Sequence, residues 1–125
     1  MSGCQLYNRA GSVAVVDDDP AVRDSLKFLL EVAGHTVAVY ASAAQFLADL
    51  GVRPACLIVD QHMPEMTGLE LAARVRSERS DLPVLLITGS PTPAIVAKAA
   101  QIGVEKVVGK PAAQDALLRF VAAHC

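Results

Sequence analysis

Four short, unbroken apolar runs, at residues 13–16, 37–40, 56–59 and 84–87, and a fifth Val-rich stretch at 104–108 that Glu105 and Lys106 interrupt, alternate along the chain with segments of helical pattern. Runs of four apolar residues without polar alternation are what a strand needs when both of its faces are covered. The segments between them carry helix punctuation. Asp19 precedes Pro20, an N-cap followed by the residue best suited to the first helical position. Val22, Leu26, Leu29 and Ala33 then fall on one face, and Gly34 stops the helix. Ser42 with Gln45, and Thr67 with Glu70, have the spacing of capping boxes. The second helix places Phe46 and Leu50 inward and ends at Gly51; the third runs to about Arg79. The fourth runs from about Ala94 to Gly103, and the fifth covers about 113–123. Strand–helix alternation of this kind specifies an α/β fold, a parallel sheet with helices on both faces joined by right-handed crossovers.

Length and composition fit one domain. The chain has 125 residues, of which 53% are hydrophobic, so a packed core is expected without disulfides. Lys plus Arg number 11 and Asp plus Glu 13, a balance that argues against a nucleic-acid footprint. The apolar runs are too short to span a bilayer, and MSGCQLYNRAGS has no apolar centre of the signal-peptide type. Cys4, Cys56 and Cys125 lack metal-ligand spacing, and Cys56 reads as a small core residue. A cytoplasmic protein is expected, with residues 1–11 as a flexible leader and 12–125 as the domain.

Four strands end in groups with chemistry: Asp17, Asp18 and Asp19 after the first, Asp60 after the third, Thr88 after the fourth and Lys110 after the fifth. Open α/β sheets bind ligands at the carboxyl ends of their strands, so these groups are expected at one rim. Neighbouring carboxylates ~4 Å apart repel by roughly 4 kcal/mol near a protein surface, which points to a compensating cation. Mg²⁺ takes one or two carboxylates and fills its shell with waters and phosphate oxygens. Lys110 supplies a point charge for a phosphate, Thr88 a hydroxyl, and Asp60 a carboxylate able to form an aspartyl phosphate. Asp19 is assigned to the helix cap, leaving Asp17 and Asp18 for the metal.

VVDDDP, LIVDQHMPEMTG, VLLITGS and VVGKP, in that order over residues 12–124, resemble the receiver domain of two-component response regulators. The resemblance implies a flavodoxin-like (βα)5 fold with a five-stranded sheet of order 2-1-3-4-5; that order belongs to the family, not to the periodicity. It implies that Asp60 is the phosphoacceptor and that Asp17 and Asp18 bind Mg²⁺, Asp18 directly. The backbone carbonyl of His62 would be another ligand. It further implies that Thr88 is the switch hydroxyl, and that Lys110 pairs with the phosphate and precedes a cis peptide to Pro111. The donor would be a phosphohistidine on a sensor histidine kinase or phosphotransfer protein, or a small acyl phosphate. The chain would catalyse only its own phosphorylation and dephosphorylation. It would signal, or dimerise, through the fourth helix, fifth strand and fifth helix.

One position departs from the pattern. Such domains often carry Tyr or Phe two or three residues before the lysine, and here Val107 stands in that place. The coupling of threonine to an aromatic ring is therefore absent. The His62 side chain and Ser90 are assigned to tuning water access. Met63 and Met66 pack the loop, Gly68 permits a tight helix entry, Pro91 and Pro93 stiffen the loop after Thr88, and His35 and His124 are solvated. Two other functions compete. Val107 would suit a receiver-like binding module that is not phosphorylated. Asp17, Asp19, Thr88 and Lys110 mimic the pattern of haloacid dehalogenase-type phosphatases. That pattern is opposed by Pro20, by the lack of an acidic metal motif after Lys110, where only Asp115 remains, and by the idle Asp60.

Overall fold

The computed structural model describes residues 12–49, 53–79, 81–111 and 114–125. In chain order the elements are β1 (Ser12–Val16), α1 (Pro20–Val32), β2 (Thr36–Tyr40), α2 (Ala43–Ala48), β3 (Cys56–Asp60), α3 (Gly68–Glu78), β4 (Val84–Thr88), α4 (Pro93–Ile102), β5 (Lys106–Gly109) and α5 (Gln114–His124). The strands form one parallel sheet of order β2-β1-β3-β4-β5, which meets the expectation for both fold and order.

Two-residue periodicity divides the core. Val13, Val15, Cys56, Ile58, Leu85, Ile87 and Val108 face Leu26 and Leu30 of α1 and Leu117, Phe120 and Val121 of α5. The alternate residues, Ala14, Val16, Leu57, Val59, Val84 and Leu86, face Phe46 of α2, Leu71, Ala72 and Val75 of α3, and Ala99 of α4. β1, β3 and β4 are buried along their whole length, whereas the edge strands β2 and β5 are only half-covered.

Caps explain most boundaries. Asp19 Oδ1 accepts from the Ala21 N–H at 2.9 Å with Pro20 opening α1. Thr67 and Glu70 form the full reciprocal box. Gly103 ends α4 in the left-handed region, with φ 93°.

Several details differ from expectation. The inward face of α1 includes Val22, Leu26 and Leu29 as expected, but Leu30 joins them and Ala33 is exposed, because the helix ends at Val32 and Ala33 already caps it. α2 stops at Ala48, where the Asp49 N–H turns back to Phe46 O at 3.0 Å and Asp49 Oδ2 accepts from Tyr40 Oη–H at 2.7 Å. Its box is half-made: Ser42 Oγ accepts from Gln45, but Gln45 Oε1 reaches the Ala41 N–H instead of that of Ser42. α4 begins one residue early, at Pro93, under a Thr92 cap that repeats the Asp19–Pro20 arrangement. β5 starts at Lys106, not Val104, because the Val104 N–H still bonds to Ala99 O and closes α4. The expected leader 1–11, Cys4, Leu50, Gly51 and Ala113 lie outside the described residues. Among the described residues no helix is long and apolar enough to cross a membrane.

Candidate functional site

The carboxyl ends of β1, β3, β4 and β5 bring Asp17, Asp18, Asp60, Thr88 and Lys110 to one rim of the sheet. Asp17, Asp18 and Asp60 each present an oxygen within 4.8 Å of the other two. Asp17 and Asp60 are 1% and 2% exposed, whereas Asp18 is open to solvent. Two full charges at that separation repel by about 3 kcal/mol at a surface-like dielectric.

Asp17 is held from several directions. Its N–H bonds to Tyr40 O at 3.1 Å, its Oδ1 accepts from the Asp19 N–H at 2.9 Å, and its backbone carbonyl accepts from Arg23 Nη1 at 2.7 Å. Its Oδ2 is buried with no hydrogen-bond partner. Burial raises the Asp17 pKa above the ordinary carboxylate value; the Asp19 N–H opposes this, and the Asp60 and Asp18 charges add to it.

Asp60 ends β3. Lys110 Nζ lies 2.9 Å from its Oδ1, a close ion pair. Burial works to lower the Lys110 pKa, but Asp60, Asp17 and Asp18 outweigh it and the pKa rises. Lys110 is itself placed by its N–H to Thr88 O at 2.9 Å, and its peptide to Pro111 is cis.

Thr88 is fully buried. Its Oγ1 accepts from the Ser90 N–H at 3.1 Å and lies 3.4 Å from His62 Nε2. Ser90 thus reaches Thr88 through its backbone, with the residue otherwise exposed. Val107 is half-buried, pairs in register with Leu86, and packs on the α2–α3–α4 side of the sheet.

The loop after Asp60 is anchored by Gln61, whose N–H bonds to Ile87 O and whose Oε1 accepts from Leu69 N–H at 2.8 Å. Gly68 is required for close approach: a Cβ there would lie 2.6 Å from Asp60 O and 2.6 Å from Leu86 Cδ1. Met63 is buried and Met66 half-buried against the core, as expected for loop packing.

A family model described as the response regulator receiver domain matches residues 13–122. The chain belongs to the receiver domain family. This receiver domain is 36% identical over 112 residues to the transcriptional regulatory protein FixJ of Bradyrhizobium diazoefficiens, covering 89% of this chain and 55% of FixJ. It is 33% identical over 120 residues to the response regulator protein TodT of Pseudomonas putida, covering 94% of this chain and 52% of TodT. The chain thus spans about half the length of these curated relatives. Among solved structures, chemotaxis protein CheY4 of Vibrio cholerae superposes with a TM-score of 0.83 at 27% identity, covering 91% of this chain and 98% of CheY4. Full-length FixJ from B. japonicum superposes with a TM-score of 0.81 at 34% identity, covering 91% and 57%. Receiver domains are signalling modules of two-component systems, working with histidine kinases or phosphotransfer partners, and bind Mg²⁺ through an acidic pocket.

The donor set of this receiver domain fits such an ion. Its ligands are all oxygens, one buried carboxylate oxygen has no partner, and negative charge is in excess. Sequence reasoning missed Arg23, which tethers the Asp17 carbonyl from the first turns of α1, and the Gln61 anchor. Arg23 lies away from the strand ends, Gln61 directly follows Asp60, and both act on backbone groups that residue patterns do not display.

Proposed function

We propose that this receiver domain is phosphorylated on Asp60 in a Mg²⁺-dependent reaction and signals through the change that follows. The supporting observation is the state of Asp60: buried, with Oδ1 held by Lys110 Nζ at 2.9 Å, in one acidic cluster with Asp17, whose Oδ2 has no partner. Asp17, Asp18, Asp60 and the His62 carbonyl would hold the ion, which neutralises charge on the transferring group. An Asp60 carboxylate oxygen attacks phosphorus while the bond from phosphorus to the donor breaks. The donor is a phosphohistidine of a sensor kinase or phosphotransfer protein, or a small acyl phosphate. Lys110 remains as the countercharge for the phosphoryl oxygens.

Phosphorylation adds about −1.5 to −2 charge and strong acceptor oxygens. Thr88 Oγ1 leaves the Ser90 N–H and turns its hydroxyl toward them, drawing residues 89–92 along. The His62 side chain and Ser90 border this path and tune water access to the acyl phosphate. Output runs through α4, β5 and α5 to a partner or a second copy, and with Val107 in place of a ring it depends on the loop movement itself. The protein donor approaches over α1, where Phe28 and Val32 are exposed and a groove of about 600 Å³ between α1 and α5 opens beside Lys110.

Val107 favours a second reading, a binding module that keeps the fold unphosphorylated. A haloacid dehalogenase-type phosphatase is disfavoured by Asp19, whose Oδ1 caps α1. Incubation with Mg²⁺ and acetyl phosphate, read by intact mass, separates the three. The proposal predicts one added phosphoryl group, absent in Asp60→Asn and absent with EDTA. An unmodified wild-type chain would support the binding module. Sustained hydrolysis of a phosphate ester that depends on Asp17 would support the phosphatase.

A further inference from the structure

At the opposite rim of the sheet, two cysteines 69 positions apart in sequence meet. Cys56 opens β3 on the same parity as Ile58, so its side chain faces α1 and α5. It is 0% exposed. The Cys125 N–H bonds to Val121 O at 2.9 Å, which carries the helical path of α5 past His124 and delivers an exposed thiol to the same point. Both are free thiols, and their Sγ atoms are 3.9 Å apart. A disulfide needs about 2.05 Å, so the sulfurs must approach by roughly 2 Å. Cys56 sits in a buried central strand, whereas Cys125 lies at a helix end that can adjust.

The geometry points to a redox modification site: an intramolecular disulfide between Cys56 and Cys125, formed with a peroxide as oxidant. The exposed Cys125 sulfur reacts first. Its thiolate attacks one peroxide oxygen, the O–O bond breaks, and hydroxide leaves and takes up a proton, giving water and a sulfenic acid on Cys125. Cys56 Sγ then attacks Cys125 Sγ; the S–S bond forms, the S–O bond breaks, and the departing hydroxide takes the Cys56 proton as a second water. Two thiols and one peroxide become one disulfide and two waters. The order of events agrees with the hydrogen bond already present. The contact between the two sulfurs lowers the Cys125 pKa, partly opposed by burial, while that same contact and burial raise the pKa of Cys56. The bridge would tie the end of α5 to the start of β3 and close a loop between two residues 69 positions apart in the unfolded chain.

The full chain carrying Cys4→Ser is treated with hydrogen peroxide, denatured, alkylated and read by intact mass and peptide mapping. The inference predicts a loss of two hydrogens, no alkylation of Cys56 or Cys125, one peptide pair joined through them, and a melting temperature several degrees above the reduced form. In Cys56→Ala, a sulfenic acid trapped by dimedone at Cys125 is expected instead. Alkylation of both thiols after oxidant, or a bridge formed only between chains, would overturn it. The mapping of the Cys4→Ser chain does not depend on how Cys56→Ala folds. It also uses no Asp60 chemistry, so its failure is distinct from failure of the phosphorylation proposal.

Discussion

The two rims of the sheet treat their polar groups in opposite ways. At the amino rim, charges are matched to partners. His124 Nε2 lies 2.8 Å from Glu105 Oε2, Arg76 donates to the Ile102, Gly103 and Arg79 carbonyls, and Arg79 Nη1 donates to Pro54 O. Among the described residues only Arg79 Nε there falls short, 3.6 Å from Asp81 and beyond hydrogen-bond range. At the carboxyl rim, three carboxylates converge on one lysine and the buried Asp17 Oδ2 has no hydrogen-bond partner. The first arrangement serves the fold. The second is under-compensated as it stands, and under the proposed function this is local stability exchanged for holding a cation and a phosphoryl group.

Substitutions at the two rims should therefore separate stability from chemistry. The largest effect is expected at Gly68, where a Cβ would meet Asp60 O and Leu86 Cδ1 at 2.6 Å. Gly68→Ala should cost about 2–3 kcal/mol in urea unfolding and reduce phosphoryl uptake as well, because the overlap pushes on the Asp60 backbone. Next comes Arg23→Ala. Removing the donor to the Asp17 carbonyl should weaken Mg²⁺ binding about tenfold by calorimetry, since partners that orient ligands commonly carry that weight. Unfolding free energy should move far less. The smallest effect is expected from His124→Ala at the amino rim. Its partly exposed pair with Glu105 should contribute no more than about 0.5 kcal/mol, and phosphoryl uptake should be unchanged. A His124→Ala chain that lost phosphoryl uptake would break the division between the rims.

The strands that sequence reading placed best are those buried on both faces, where apolar runs have no other explanation. The Asp19–Pro20 and Thr67–Glu70 starts were equally readable, since caps are local. The convergence of Asp17, Asp18, Asp60 and Lys110 was readable because parallel strands share one carboxyl end. What failed depended on contacts between distant segments or on backbone groups. Val104 looks like strand but closes α4, and Leu30 displaces Ala33 from the α1 face because the helix ends a residue sooner. His124, expected to be solvated, is paired with Glu105 across 19 positions. The approach of Cys125 to Cys56 has no local signature at all.

Proton linkage adds a direction to the comparison. The folded-state pKa of Asp17 is raised, mainly by burial. Its ionised form therefore opposes folding, and this penalty fades as pH falls through that raised pKa. In EDTA, the stability advantage of Asp17→Asn over wild type should shrink as the solution is acidified from pH 7, as read by denaturant midpoints.

Unfolding of wild type and Asp17→Asn at pH 7, each in EDTA and in Mg²⁺, tests the under-compensated rim most directly. Asn retains the Oδ1 acceptor for the Asp19 N–H and nearly the same shape, while the charge is removed and Oδ2 becomes an amide nitrogen that can donate to Asp60. The prediction is that Asp17→Asn is the more stable protein in EDTA and that Mg²⁺ stabilises wild type strongly and the variant little, narrowing or reversing the order. If Asp17→Asn is instead the less stable protein in EDTA and both chains gain equally from Mg²⁺, the carboxyl rim holds no uncompensated charge for the ion to relieve.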